Sequence, residues 1–273
     1  TGAVTANSAI SQTISISSSG DLTANAGNIG GAVTNAGDLI LTGGTLSKSV
    51  SGAGLTTITG NTTNSAGINQ GVKVNSGITL TNNAALGSAS GSVTNAGTIN
   101  SSADNIKGTV SNTGSLNLSG GTLSKAVSGS GKTTITGNTT NSGGINQGVT
   151  VNSGVTLTNN AALGSDSGTI TNSGTINTSA SNIKGAVTNN NALNLSGGTL
   201  SKAVSGSGTT NITGAVTSNS AISQAINVVA AGDLTINANN IGGAVTNAGD
   251  LILTGGTLSK VVFGSGKTTI KGN

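Results

Sequence analysis

Aliphatic residues recur along this chain at a nearly constant interval, with polar residues between them. Fourteen of the recurring positions, which we call the anchors, are all Val or Ile. Inside each interval, further aliphatic residues alternate with polar ones, as at Leu39 and Leu41, and a period of two is typical of strands. A unit this short cannot bury an apolar face alone, so it must stack on neighbouring copies. The fourteen anchors are Ile16, Val33, Val50, Val72, Val93, Val110, Val127, Val149, Ile170, Val187, Val204, Val228, Val245 and Val262.

This pattern predicts an all-β fold, a right-handed parallel β-helix (solenoid) of about fourteen coils with 17–24 residues per coil. Successive strands would stack about 4.8 Å apart, joined by corners rich in Gly, Asn and Ser. Right-handed winding is the hand that parallel crossover connections favour. No apolar stripe with a helical period of 3.6 residues competes with this interpretation.

The predicted corners share a Gly and an Asn. Gly lies four residues after the anchor in eleven coils, for example at Gly37, Gly97 and Gly114. Because Gly adopts positive φ readily, we expect that backbone conformation there. Asn stands two positions before the corner Gly in eight coils, and stacked Asn side chains predict a ladder of amide hydrogen bonds. These residues are Asn35, Asn75, Asn95, Asn112, Asn152, Asn172, Asn189 and Asn247.

A longer repeat groups the coils in fours and is marked by the motif GGTLSK. The motif starts at Gly43, Gly120, Gly197 and Gly255. The resulting blocks are residues 43–119, 120–196, 197–254 and 255–273. The block at 255–273 is partial, and the block at 197–254 is 19 residues, about one coil, shorter than the two 77-residue blocks before it, which indicates that the coil is the structural unit. We therefore predict a single β-helical array over 1–273. Because neither end shows a polar capping unit, we expect a longer protein or copies stacked into a filament.

Three segments carry a resemblance to a known family. They are VTNAGDLILTGGTL at 33–46, VTNAGTIN at 93–100 and TITNSGTINTSA at 169–180. These Asn-x-Gly-rich runs resemble the β-helical passenger domains of autotransporter and filamentous adhesins of Gram-negative bacteria. The resemblance implies an extracellular, cell-surface location and a role as the stalk of an adhesin or the subunit of a filament, in adhesion, aggregation or biofilm. The uncapped ends and the outward Ser and Thr positions add the expectation of self-association, end to end or lateral, and of contact with host or bacterial cell-surface glycans.

Composition narrows the chemistry available to the chain. It has no Cys, His, Met, Trp, Tyr, Pro, Arg or Glu, and its charge rests on ten Lys and six Asp. Without Arg or stacking aromatics, nucleic-acid recognition is not expected. GSGKTT at 129–134 lacks the first glycine of a phosphate-binding loop, because Ala126 stands in its place. We therefore predict no enzymatic activity and no cofactor, and no apolar run is long enough to predict a transmembrane segment.

Four carboxylates form the weak candidates for a metal or catalytic site. Asp21 and Asp38 hold one phase in adjacent coils, as do Asp233 and Asp250. Two carboxylates one strand spacing apart suggest a cation site or an acid/base pair, the less favoured interpretation being a polysaccharide-active enzyme that uses Asp21 and Asp38. Two oxygen donors fall short of a calcium shell, and solvated Asp is the commoner situation.

Outward hydroxyls form the second candidate surface. Ser or Thr follows the anchor directly in eleven coils and lies nine residues after it in eleven. Such rows suggest an alternative function, an ice- or glycan-binding module, although Thr at exposed strand positions also follows from β-propensity alone. The candidate contact residues are Thr34, Thr94, Thr188, Thr42, Thr59, Thr81 and Thr136.

Overall fold

A computed structural model describes residues 2–271 and shows an all-β solenoid of about sixteen turns, close to the fourteen predicted. The chain divides into two compact units, Thr1–Thr134 and Ile135–Asn273. The strands that begin in the first unit are β1 Ala3–Ala6, β2 Ile14–Ile16, β3 Asp21–Ala24, β4 Val33–Asn35, β5 Asp38–Leu41, β6 Gly44–Leu46, β7 Val50–Ile58, β8 Thr62–Asn64, β9 Ile68–Val74, β10 Thr79–Asn82, β11 Val93–Asn95, β12 Thr98–Ser101, β13 Val110–Asn112, β14 Ser115–Leu118, β15 Gly121–Leu123 and β16 Val127–Ile135.

The second unit has the same construction. Its strands are β17 Thr139–Asn141, β18 Ile145–Val151, β19 Thr156–Asn159, β20 Ile170–Asn172, β21 Thr175–Thr178, β22 Val187–Asn189, β23 Ala192–Leu195, β24 Gly198–Leu200, β25 Val204–Ser205, β26 Thr209–Ile212, β27 Ala215–Ser218, β28 Ala225–Val228, β29 Asp233–Ile236, β30 Val245–Asn247, β31 Asp250–Leu253, β32 Val262–Phe263 and β33 Lys267–Ile270. Short 3₁₀ turns occupy Ala26–Asn28, Ala103–Asn105, Ala180–Asn182 and Ala238–Asn240.

Parallel pairing brings aliphatic side chains of successive turns into rows. In β5 the alternation is plain, because Leu39 and Leu41 are buried while Asp38 is exposed and Ile40 is half-buried. One row of the first unit connects Val4 to Val127 through seven strand pairings, each of which corresponds to one turn. The average number of residues per turn is therefore slightly smaller than the average interval between anchors. The members of this row are Val4, Leu22, Leu39, Thr56, Val72, Val93, Val110 and Val127. Each fully buried aliphatic side chain stabilises the stack by about 1.5–3 kcal/mol.

The long repeat block is not a whole number of turns. Four turns from Leu39 lead to Val110. Leu116, which holds the place of Leu39 in the next block, pairs instead with Ile99 in another row. Leu116 therefore lies six residues beyond Val110, the position four turns after Leu39. Equivalent residues of successive blocks are thus displaced around the solenoid by roughly one third of a turn. In the first unit, a strand and its equivalent in the following block therefore lie on different faces of the solenoid.

This displacement explains why the anchors undercount the turns. Val50 pairs with Ile68 and not with the next anchor, Val72, which pairs with Thr56. The long predicted interval between Val50 and Val72 is thus one turn plus a step to the neighbouring row. The second unit shows the same correction, because Val204 pairs with Ile222 while the anchor Val228 pairs with Asn247.

Buried Asn side chains bond successive turns, as predicted for part of the ladder. The Asn95 Nδ2 donates to Asn112 Oδ1 at 2.7 Å, and Asn172 Nδ2 donates to Asn189 Oδ1 at 2.7 Å. All four side chains are buried. A ladder Asn can also receive a bond from its own corner, as where Gly97 N donates to Asn95 Oδ1 at 3.2 Å.

Two predicted members lie outside the ladder. The ladder position next to Asn95 is held by Val74, and the one next to Asn172 is held by Val151. Asn75 and Asn152 each come one residue later, because the corner Gly on which they were aligned is itself one residue late in these coils.

A second buried ladder was not predicted. Asn64 Nδ2 donates to Asn82 Oδ1 at 2.6 Å, and Asn82 Nδ2 donates to Ser101 Oγ at 2.9 Å. The second unit repeats this arrangement between Asn141 and Asn159, at 2.6 Å. Such bonding is required because a buried amide without partners is costly. Among the described residues, Thr150 Oγ1 is the one buried side-chain polar atom without a partner.

Gly37, Gly97 and Gly114 are needed for space and not for positive φ, contrary to the prediction, whereas the later corner glycines Gly77 and Gly154 do have positive φ, 75° and 74°. Gly37, Gly97 and Gly114 are absent from the positive-φ residues of the described chain. A Cβ at Gly97 would instead lie 2.2 Å from the Ile78 carbonyl oxygen of the preceding turn.

Candidate functional site

The predicted carboxylate pairs lie in register on neighbouring strands. Asp21 pairs with Asp38, and Asp233 pairs with Asp250; all four are exposed. Among residues 2–271, no three His, Cys, Asp or Glu side chains cluster as a metal ion would require. Each pair therefore places two solvated carboxylates side by side, without a third His, Cys, Asp or Glu side chain clustered with them in the described part of the chain.

The Thr residues predicted directly after the anchors lie in different rows. Thr34 pairs with Ser15 and Ser51. In a separate row of the first unit, Thr94 pairs with Ser111 on one side and Lys73 on the other. In the second unit, Thr188 pairs with Thr171 and Ser205. Thr34, Thr94 and Thr188 are all exposed.

The Thr residues predicted nine positions after the anchors also point outward. Thr42, Thr59 and Thr136 are exposed and Thr81 is half-buried. Thr59 Oγ1 donates to the Leu41 carbonyl at 3.1 Å, which links its turn to the one before. The hydroxyls are thus distributed over several short rows and not over two long ones, because each long block moves them to another face.

The longest outward ladder of amides was missed by sequence reasoning. The second unit carries four outward Asn residues in register, which we call the amide row: Asn177, Asn194, Asn211 and Asn227. Their side chains form a chain of bonds. Asn194 Nδ2 donates to Asn177 Oδ1 at 2.7 Å, Asn211 Nδ2 to Asn194 Oδ1 at 2.7 Å, and Asn227 Nδ2 to Asn211 Oδ1 at 3.1 Å.

The amide row borders a groove of about 670 Å³ in the second unit. Every lining side chain except Val229 is Asn, Ser or Thr. Thr158, which pairs with Asn177, lies at one end of the groove, and Thr213 lies along its side. Its volume is in the range of small-molecule sites, but its surface is neutral and hydrogen-bonding instead of apolar.

A sequence signal for the amide row exists. Asn211 stands where the two preceding blocks have Thr57 and Thr134, and Asn227 stands where the matching N-terminal segment, 1–61, has Ser15. These departures lengthen a ladder that in the first unit consists of the pair Asn100 and Asn117, bonded at 2.8 Å. Comparison of repeats position by position reveals them, whereas a search for what the repeats share does not.

An ion pair links two non-adjacent turns of the second unit. Lys202 Nζ donates to Asp166 Oδ1. This hydrogen bond, together with the positive charge of Lys202, lowers the pKa of the Asp166 carboxyl below its ordinary value of 3.8. Because the carboxylate is fully exposed, water screens the pair and its contribution to stability is small.

Comparison with protein-family models, curated proteins and solved structures finds no match to this chain. Within residues 2–271, no helix has the length and apolar character needed to cross a membrane. The fold defines the class of the molecule, a parallel β-solenoid.

Proposed function

We propose that this chain is a structural segment of an extracellular adhesin of a Gram-negative bacterium, either its stalk or part of a filament, and that it is not an enzyme. The observation that carries the proposal is that the buried side chains connect each turn to the next. Rows of aliphatic residues and ladders of buried Asn join the turns of a unit to one another. A parallel stack built in this way gains stability from each added neighbour, as a rigid spacer requires.

The test uses the natural full-length gene product on its own cells. Antibody against this segment should label intact cells, and a strain lacking residues 2–271 should lose adhesion or aggregation. A milder variant lacks residues 43–119, which joins Thr42 to a second copy of GGTLSK and so preserves the local sequence. It should remain displayed and adhere less. Labelling only after lysis, or full adhesion without the segment, would overturn the proposal.

The parallel stacking of turns also supports self-association of copies, end to end or side by side. Sedimentation of the purified chain over a range of concentrations should then show species larger than the monomer. A monomer at every concentration would confine the proposal to a stalk in which this segment has no partner copy.

The amide row favours a second function for the second unit, recognition of carbohydrate. A neutral groove of amides and hydroxyls offers donors and acceptors together, as sugar hydroxyls require. This function is compatible with an adhesive role.

A further inference from the structure

We propose that the amide row and Phe263 together form a binding surface for a linear, neutral carbohydrate chain. The inference deepens the adhesive role proposed above by naming the surface and the ligand class, and it rests on that role only for its biological setting. The binding itself depends on residues of the second unit alone.

Register places the aromatic ring in line with the amides. Asn227 pairs with Thr246, and Thr246 pairs with Phe263. Phe263 is the single aromatic residue of the chain, and 53% of it is exposed. Five strand spacings separate it from Asn177, or about 24 Å. The surface therefore suits an extended ligand that follows the row from one turn to the next.

Three departures from the repeat lie on this surface. Phe263 stands where Ser51 and Ser205 stand in the corresponding coils, and Asn211 and Asn227 replace Thr and Ser. All three residues point outward, where stacking of the solenoid does not dictate their identity. An exposed Phe does not help the fold, since it leaves apolar surface in water. Three such exchanges in one row are consistent with recognition of a ligand.

The chemistry of the row fits sugar hydroxyls. Each bond within the ladder uses one N–H and one lone pair of the two amides that it joins. Every inner amide therefore retains a second N–H and a second acceptor site for a ligand. Paired donors and acceptors at each strand spacing can bond the neighbouring hydroxyls of successive sugar units. The groove lining contains no Asp or Lys, so it offers no charge to favour an ionic polymer.

The aromatic ring supplies what the amides lack. Its face can pack against the C–H face of a sugar, an apolar contact that amides cannot make. Phe263 at one end and hydroxyls such as Thr213 beside the ladder would then hold different parts of one chain. The combination predicts preference for oligomers over monosaccharides.

The test measures binding of three neutral tetrasaccharides, cellotetraose, maltotetraose and tetra-N-acetylchitotetraose, to the complete chain. Calorimetry gives affinity, and shifts of Asn side-chain amide resonances locate the site. Each variant restores the residue found elsewhere in the repeat: Asn211→Thr combined with Asn227→Ser, and Phe263→Ser. The control is Asn117→Thr, which shortens the ladder of the first unit in the same way. Because the equivalent positions of other repeats already hold Thr or Ser, the double Asn variant and Phe263→Ser are expected to fold.

We expect at least one tetrasaccharide to bind at millimolar concentration or below. The double Asn variant and Phe263→Ser should each weaken binding by about 3- to 10-fold, the effect of losing a hydrogen bond or an aromatic contact. Asn117→Thr should leave the affinity unchanged. Failure of all three sugars to bind would overturn the inference, as would equal binding by every variant.

Ice provides a further discriminating outcome. Thermal hysteresis that disappears in the double Asn variant, with no sugar bound, would assign the row to ordered water and reject the carbohydrate. The proposed structural role fails separately, through loss of surface labelling or unchanged adhesion of cells. Binding of a tetrasaccharide in solution is independent of either result.

Discussion

The buried Asn is the residue that most clearly connects sequence to stability in this chain. Asn95 donates to Asn112 Oδ1 at 2.7 Å and to the Ser115 carbonyl at 2.9 Å, and it accepts from Gly97 N at 3.2 Å. One side chain thereby fixes its own corner and the next turn. A shorter polar side chain such as Ser reaches fewer of these partners, which explains why Asn recurs there.

Asn95→Ala is expected to destabilise the first unit by about 1–3 kcal/mol, because buried partners lose their hydrogen bonds. The matched control is Asn75→Ala, since Asn75 lies one residue beyond the ladder position and is only half-buried. Urea unfolding followed by circular dichroism measures both. Equal losses from the two variants would contradict the assignment of Asn95 to the ladder.

The ion pair of Asp166 gives stability a pH dependence with a definite sign. Because Lys202 lowers the pKa of the folded carboxyl, ionised Asp166 favours the folded state. The contribution is present above the unfolded value of 3.8 and disappears as the pH falls through the lower folded value. Asp166→Asn should therefore lower Tm slightly at neutral pH and leave it unchanged in strong acid, below both values.

Lys202→Gln provides the partner variant for this prediction. It should reproduce the small loss at neutral pH, and the double variant should lose little more than either single one. Additive losses in thermal melts at neutral pH would show that the two side chains act independently.

At the scale of the element, alternation of apolar and polar residues was enough to predict strands, parallel stacking and part of the Asn ladder. It also placed Asp21 beside Asp38, which the register confirms. Alternation was not enough to assign each strand to a row. Inward residues recur at every second position, and β9 presents both Ile68 and Val72 inward, so the pattern makes either one a suitable partner for Val50. Which residue pairs with Val50 depends on how the corners between the strands fold, which alternation does not reveal.

A strand in the middle of the first unit should depend strongly on its inward side chain. Ile99 is fully buried and pairs with Leu80 and Leu116. Ile99→Ala is expected to cost about 2–5 kcal/mol through lost contacts and the cavity left behind. Val4→Ala is the control, because 58% of Val4 is exposed. Hydrogen exchange of β12 and its paired strands should accelerate in the first variant only.

At the scale of the molecule, the fraction of a turn added by each block has a consequence for the surface of each unit. In the first unit, the row that starts at Leu46 passes through Asn64 and reaches Leu118 four turns later. Leu123, the equivalent of Leu46 in the next GGTLSK copy, lies further along the chain than Leu118 and outside this row. A motif that repeats in sequence is therefore presented on successive faces. The predicted long rows of Ser and Thr are therefore divided into short ones, and a long row of one residue type, such as the amide row, requires departures from the repeat.

The same geometry predicts which deletions the second unit tolerates. Removing residues 197–254 joins Ser196 to a second copy of GGTLSK, so every local contact retains a residue that the repeat already uses. Removing residues 197–251 takes out three fewer residues, and this odd difference turns inward side chains outward. The first variant should keep its strand signal per residue and unfold cooperatively, whereas the second should lose strand content and aggregate. Equal folding of both would show that stacking is set by composition alone and not by the position of each side chain within the turn.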